Sequence, residues 1–148
     1  YAGLKEHWFL NLVFKLSGTI AISPRSSVEA TRRIIRLLEA GEAVCLFPEG
    51  EISRTGQLMQ IRRGFELMAK KANVPVVPVA HDGLWGSVFS FSGNKYLFKA
   101  PRVMPTPVCV SFGQPIPASE VDVARVRRDL LDLGYEAFME RPVLRRHL

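Results

Sequence analysis

Between Leu4 and Leu16 a polar residue returns every fourth position, at His7, Asn11 and Lys15. Leu4, Trp8, Phe9, Leu12, Val13 and Leu16 fill most of the remaining circumference. That spacing predicts a helix with one narrow polar stripe, which suits burial within a domain or a seat partly in lipid. Ser17-Gly18 ends it, Thr19–Ile22 reads as a short strand, and Pro24 breaks the strand. Ser26, with Glu29 three places on, forms a capping box in which each side chain satisfies a free backbone N–H of the first turn. The helix it opens is expected to turn Val28, Ile34, Ile35 and Leu38 inward. Arg32, Arg33, Arg36 and Glu39 would take the water, and Gly41 would stop the helix.

Ala43–Phe47 is an uninterrupted apolar run, the pattern of a strand covered on both faces. A second helix is expected over about Gly64–Ala72, with Phe65, Leu67, Met68 and Ala69 inside. Val74–Ala80 reads as another buried strand whose Pro75 and Pro78 restrict its pairing. Tyr96–Phe98 and Val108–Phe112 read as later strands. The last helix is expected to start at Ser119, with Asp122 at the box position, and to carry Val123, Val126, Leu130 and Leu133 as its stripe. Strands alternating with helices predict an α/β layered domain, and in such sheets sites gather where strands end.

Composition narrows the classes. The 148 residues suit one domain, and 47% hydrophobic with 23% charged is too apolar for a disordered tail. Cys45 and Cys109 are the two cysteines, too few for a disulfide scaffold or a zinc cage. Both lie in apolar runs and read as small core residues. No window offers the roughly 20 uninterrupted apolar residues of a membrane-spanning helix, and no signal peptide pattern appears. Twenty Lys and Arg against 14 Asp and Glu give +6. Nucleic acid would answer that charge, but Arg32, Arg33, Arg36, Arg127 and Arg128 sit on amphipathic helices and no nucleic-acid-binding motif accompanies them. Anionic lipid head groups explain the same charge.

The sharpest local feature is Phe47-Pro48-Glu49-Gly50. Pro48 donates no N–H and ends a ladder, and Gly50 permits a turn other residues resist. Glu49 is thereby aimed from a strand end, either to serve a site or simply to cap a helix or pair with an Arg. A polar loop with Ser53, Arg54 and Gly56 follows, then Arg62-Arg63-Gly64-Phe65. Guanidinium groups suit phosphate because their planar fork donates paired hydrogen bonds, although a solvated basic face has the same composition. No Lys-Ser/Thr follows Gly56, so the loop is not a nucleotide P-loop. His81-Asp82 are adjacent in an extended run, so their side chains point to opposite faces and favour a structural role. Trp85, Phe89 and Phe91 suit core, an acyl groove or a membrane interface.

Phe47-Pro48-Glu49-Gly50, Arg63-Gly64-Phe65, Val74-Pro75-Val76-Val77-Pro78-Val79 and Phe112-Gly113-Gln114-Pro115-Ile116, in that order, resemble the glycerolipid acyltransferase family, which includes lysophosphatidic acid and lysophospholipid acyltransferases. The resemblance runs from roughly Gly18 to Pro117. The stretch His81–Phe91 looks most like a branch fused to an acyl-carrier-protein ligase that reacylates lysophosphatidylethanolamine. The fold implied is a layered α/β domain with a central mixed sheet flanked by helices, of the glycerol-3-phosphate acyltransferase type.

The activity implied is transfer of a fatty acyl group from acyl-CoA or acyl carrier protein to a glycerolipid hydroxyl, with no metal or prosthetic group. The implied partners are the lysophospholipid and acyl thioester, a membrane surface on the cytoplasmic side, and acyl carrier protein or a fused ligase domain. Substrate-binding positions carried over by the resemblance are Glu49, Gly50, Ser53 and Arg54, with Arg25 after the first strand. Two departures accompany it. The family's His-x4-Asp general-base pair is absent: Leu12 stands five places after His7, Gly86 five after His81, and His147 lies at the end. The expectation is a chain starting at Tyr1, just downstream of that pair, with no catalytic residue of its own; the alternative is a non-catalytic lipid- or partner-binding module. Second, Arg54 comes two places later than the family's Arg after Glu-Gly, and Arg25 one place late.

Overall fold

The computed structural model describes residues 27–88, 90–94 and 106–141. The expected helix Leu4–Leu16, the strands Thr19–Ile22 and Tyr96–Phe98, and the capping Ser26 lie outside them. The described elements run α1 (Ser27–Glu39), α2 (Gly64–Ala72), β1 (Val79–Asp82), β2 (Cys109–Phe112) and α3 (Val123–Glu140). The architecture is mixed α/β.

The helices keep the periodicity read from the chain, shifted slightly in phase. In α1 the buried positions are Ala30 and Ile34, four apart on one face, while Val28 is exposed. A small residue, not the first β-branched one, makes the close contact there. In α2, Phe65, Met68 and Ala69 are buried at the i, i+3, i+4 spacing, and Leu67 falls between them on the open side. The helix ends where Asn73 takes the left-handed conformation and returns its N–H to Ala69 O. Helix α1 packs on α2.

The last helix starts later than expected. Ala118–Glu120 forms a separate 3-10 turn, and α3 is capped by Asp122, whose Oδ1 accepts from Ala124 N–H at 2.7 Å and Arg125 N–H at 3.0 Å. Asp122 is therefore the cap itself, not the third residue of a box opened by Ser119. Val126, Leu133 and Ala137 are buried along one face of α3, which packs across both strands. Leu133 approaches so closely at Gly113 that a Cβ there would sit 3.0 Å from its Cδ1.

The strands pair antiparallel, Val79 opposite Phe112 and Asp82 opposite Cys109. A further bridge joins Val76 to Ile116. Two residues, Val77 and Pro78, thus face three, Gly113 to Pro115, which places a bulge where Pro78 has no N–H to give. Gly113 N–H donates to the Pro78 carbonyl at 2.9 Å across that kink. Ile61, Phe65, Ala69, Ile116, Val121 and Val126 form the core, with Leu46, Leu58 and Val76 packed against it.

The Ala43–Phe47 run is not a strand paired among the described residues. Val44 and Leu46 are half-buried while Ala43, Cys45 and Phe47 are exposed, a period of two with one face covered. Cys45 is thus at the surface and Cys109 is only half-buried, which corrects the core reading of both. The sheet likewise has an open apolar face: Val77, Val79, Val110 and Phe112 are exposed.

Candidate functional site

The Pro48–Gly50 turn hangs from the covered side of the Ala43–Phe47 run, because Leu46 is anchored in the core. Gly50 N–H donates to Phe47 O at 3.1 Å, and Gly50 takes φ +73, a conformation that suits glycine. A Cβ at Gly50 would lie 3.1 Å from Arg62 Nε, so the glycine also lets Arg62 lie close.

The segment 58–63 is stitched to this turn at three points. Met59 N–H donates to Glu49 Oε2 at 2.7 Å. Arg62 N–H donates to Pro48 O at 2.9 Å, and Arg62 Nε donates to Glu49 O at 3.2 Å. Glu49 is half-buried, and its second carboxylate oxygen has no hydrogen-bond partner among the described residues. The Arg62 head reaches Glu51 only at 3.9 Å, with both side chains largely in water, so that pair contributes little. Arg62 was one guanidinium among several in the sequence. Its place against the Glu49 backbone follows from chain reversal at Gly56, which spacing alone does not show.

The other expected positions separate from Glu49. Ser53 Oγ accepts from Gly56 N–H at 2.9 Å and Thr55 N–H at 3.3 Å, so it builds the turn that reverses the chain. Arg54 lies over the Phe91 ring, 5.3 Å from its centroid, and no contact brings it to Glu49. Trp85 covers Gly56: a Cβ there would stand 2.7 Å from the indole ring. The segment around Trp85 and Phe91 therefore clamps the loop that follows Glu49, which accounts for two of its aromatic residues. Arg25 and Phe89 lie outside the described residues.

His81 and Asp82 do point to opposite sides of β1. His81 is exposed beside Val79 on the open face. Asp82 is half-buried, with Arg141 Nη1 2.7 Å from its Oδ2 as an ion pair out of hydrogen-bond alignment. A fastening between β1 and the end of α3 results. Among the described residues no cluster of three His, Cys, Asp or Glu could hold a metal ion, and no helix is long and apolar enough to cross a membrane.

The acyltransferase family model matches residues 2–82, more than half of the chain, and the chain belongs to that family. Its curated relatives are glycerolipid enzymes. A chloroplastic 1-acyl-sn-glycerol-3-phosphate acyltransferase of Brassica napus is 40% identical over 58 residues, 39% of this chain and 17% of that protein. The enzyme of the same name from Cocos nucifera is 26% identical over 105 residues, 70% of this chain and 32% of that protein. One from Borreliella burgdorferi is 31% identical over 74 residues, 48% of this chain and 30% of that protein. The chain spans about a third or less of the length of these relatives. No solved structure matches it.

Proposed function

We propose that this chain forms the head-group side of an enzyme that acylates 1-acyl-glycerol 3-phosphate or a related lysophospholipid, with acyl-CoA or acyl carrier protein as donor. The observation that carries the proposal is the Glu49 turn. One carboxylate oxygen is fixed by Met59 N–H and the other is left for a ligand, while Arg62 Nε is held on the Glu49 main-chain carbonyl of the same turn. A carboxylate repels a phosphate, so Glu49 accepts from a glycerol hydroxyl while Arg62 offers its remaining N–H groups to the phosphate. Arg62 replaces Arg54 in that role, since Arg54 is engaged by Phe91. Gly50 gives Arg62 its approach, and Ser53 shapes the return of the chain. Arg25 stays a second candidate for the phosphate on the resemblance alone.

In the reaction the glycerol hydroxyl oxygen attacks the thioester carbonyl and gives its proton to a base, the ester C–O bond forms, and the C–S bond breaks to release a thiolate that takes that proton back from the base. No His of this sequence has an Asp five places on, so the chain binds the acceptor without supplying that base, a deficit of about 10²–10⁴-fold from this contribution. The described strand pair then belongs to a larger central mixed sheet flanked by helices, a reading supported by its open apolar face and by the one-sided Ala43–Phe47 run. Net charge +6 supports work at an anionic membrane surface, peripheral and on the cytoplasmic side.

The test is titration with soluble 1-hexanoyl-glycerol 3-phosphate, alongside an acyl-transfer assay and sedimentation with phosphatidylglycerol vesicles. Saturable binding that is lost when the free hydroxyl is acylated, no transfer, and salt-sensitive vesicle binding are expected. Equal affinity for the diacylated compound overturns the hydroxyl contact to Glu49. Robust transfer overturns the missing base.

A further inference from the structure

Segment 58–63 is held from two sides. Glu49 takes the N–H of Met59, and from the other side Arg127, 68 residues on and in the first turns of α3, donates Nη1 to the Met59 carbonyl at 2.8 Å. Both contacts are partly buried. They fix the two peptide groups that flank the Met59 Cα, so the rotation of that residue is restrained at both ends. Arg127 is itself held in place by its helix: Val123 packs against the core and Val126 is buried in it. The Asp122 cap fixes where that helix begins.

We propose that Arg127 is a positioning residue for Glu49: through the Met59 main chain it holds the carboxylate in the orientation that receives the acceptor's glycerol hydroxyl. This deepens the acceptor-binding reading of Glu49 and rests on it. Arg127 need not touch the ligand. With the donor gone, the Met59 carbonyl turns toward water, its N–H leaves the line to Glu49 Oε2, and the carboxylate gains rotamers that miss the hydroxyl. A guanidinium suits the task because several N–H groups lie in one plane on a long stem. An ammonium at the same position keeps the charge and can still donate to the Met59 carbonyl, so it serves for the most part.

The experiment is a double-mutant cycle on the whole 148-residue chain, read by affinity for 1-hexanoyl-glycerol 3-phosphate and by hydrogen exchange at the Met59 amide. Arg127→Met is expected to weaken binding about three- to tenfold, as for one lost hydrogen bond, and to speed Met59 exchange. Arg127→Lys should recover most of both. In the Glu49→Gln background, Arg127→Met should cost little more, because its effect passes through the carboxylate. A full further loss in that background overturns the proposal and makes Arg127 a direct anion contact. A silent Arg127→Met beside a damaging Glu49→Gln also overturns it. A silent Glu49→Gln instead removes the acceptor-binding reading, and the positioning role falls with it. Should Arg127→Met not fold, Arg127→Leu carries the same comparison.

Discussion

Replacing Glu49 by Gln separates a carboxylate that serves a ligand from one that serves the fold. The amide keeps the length of the side chain and a carbonyl oxygen, so Met59 N–H still has an acceptor where Oε2 now stands at 2.7 Å. What is lost inside the protein is the difference between a charged and a neutral acceptor, about 1 kcal/mol. For a chain of this length that lowers the thermal midpoint by about 3–5 °C. What is lost to the ligand is larger. The free oxygen becomes an NH2 that cannot accept from a glycerol hydroxyl, and a hydrogen bond to a charged group is worth about 1.5–3 kcal/mol, or about ten- to 150-fold in affinity. Calorimetric titration with 1-hexanoyl-glycerol 3-phosphate and a thermal melt on the same preparation measure both. Affinity within twofold of wild type together with a lowered midpoint would refute the reasoning and leave Glu49 a fastening for segment 58–63.

Two further substitutions test the surrounding geometry. Gly56→Ala combines φ +80 with a Cβ 2.7 Å from the Trp85 ring, so Trp85 should move away and its fluorescence shift toward the exposed limit; an unchanged emission spectrum would show that the ring does not cover this turn. At the start of α3, the N–H of Arg125 above all holds the Asp122 carboxyl below its ordinary 3.8; desolvation opposes it, and the Ala124 N–H and the charges of Arg128 and Lys70 add to the lowering. A depressed folded value means that this stability is complete above the unfolded pKa and is lost as pH falls through the folded one. The gap in thermal midpoint between wild type and Asp122→Ala should therefore be constant from neutral pH down to about pH 5 and narrow as pH falls below about 4, and a gap that keeps its full size throughout the acid titration contradicts the charged cap.

Short-range chemistry was what the sequence exposed. The boundaries of α2 follow from an apolar pattern of period 3.6 closed by a residue able to turn left-handed, and both signals lie within one segment. Pro78 as a limit on pairing is equally local, and the bulge opposite Gly113–Pro115 is its consequence. Phase was harder. Val28 and Ala30 compete for the inside of α1, and hydrophobicity alone favours valine, whereas the close approach of a neighbour favours alanine. The Ala43–Phe47 run failed as a two-sided strand because a continuous apolar run reports what could be buried, not what there is to bury it against.

The candidate site divides along the same line. Glu49 and Gly50 announce themselves by adjacency to Pro48 at the end of an apolar run. Arg54 looked equally well placed, being five residues from Glu49, yet the turn built by Ser53 and Gly56 sends it to Phe91. The guanidinium that does lie against Glu49 is 13 residues away, and the one that steadies Met59 comes from another element 68 residues on. Neither distance carries a spacing rule, because loop length between two contacting residues is nearly free in energy: each doubling costs only about 0.6 kcal/mol. A carboxylate whose orientation depends on partners recruited so far along the chain is sensitive to the packing of α3, so substitutions at Val126 or Ile61 that loosen this core should register at the Met59 amide before they unfold the chain.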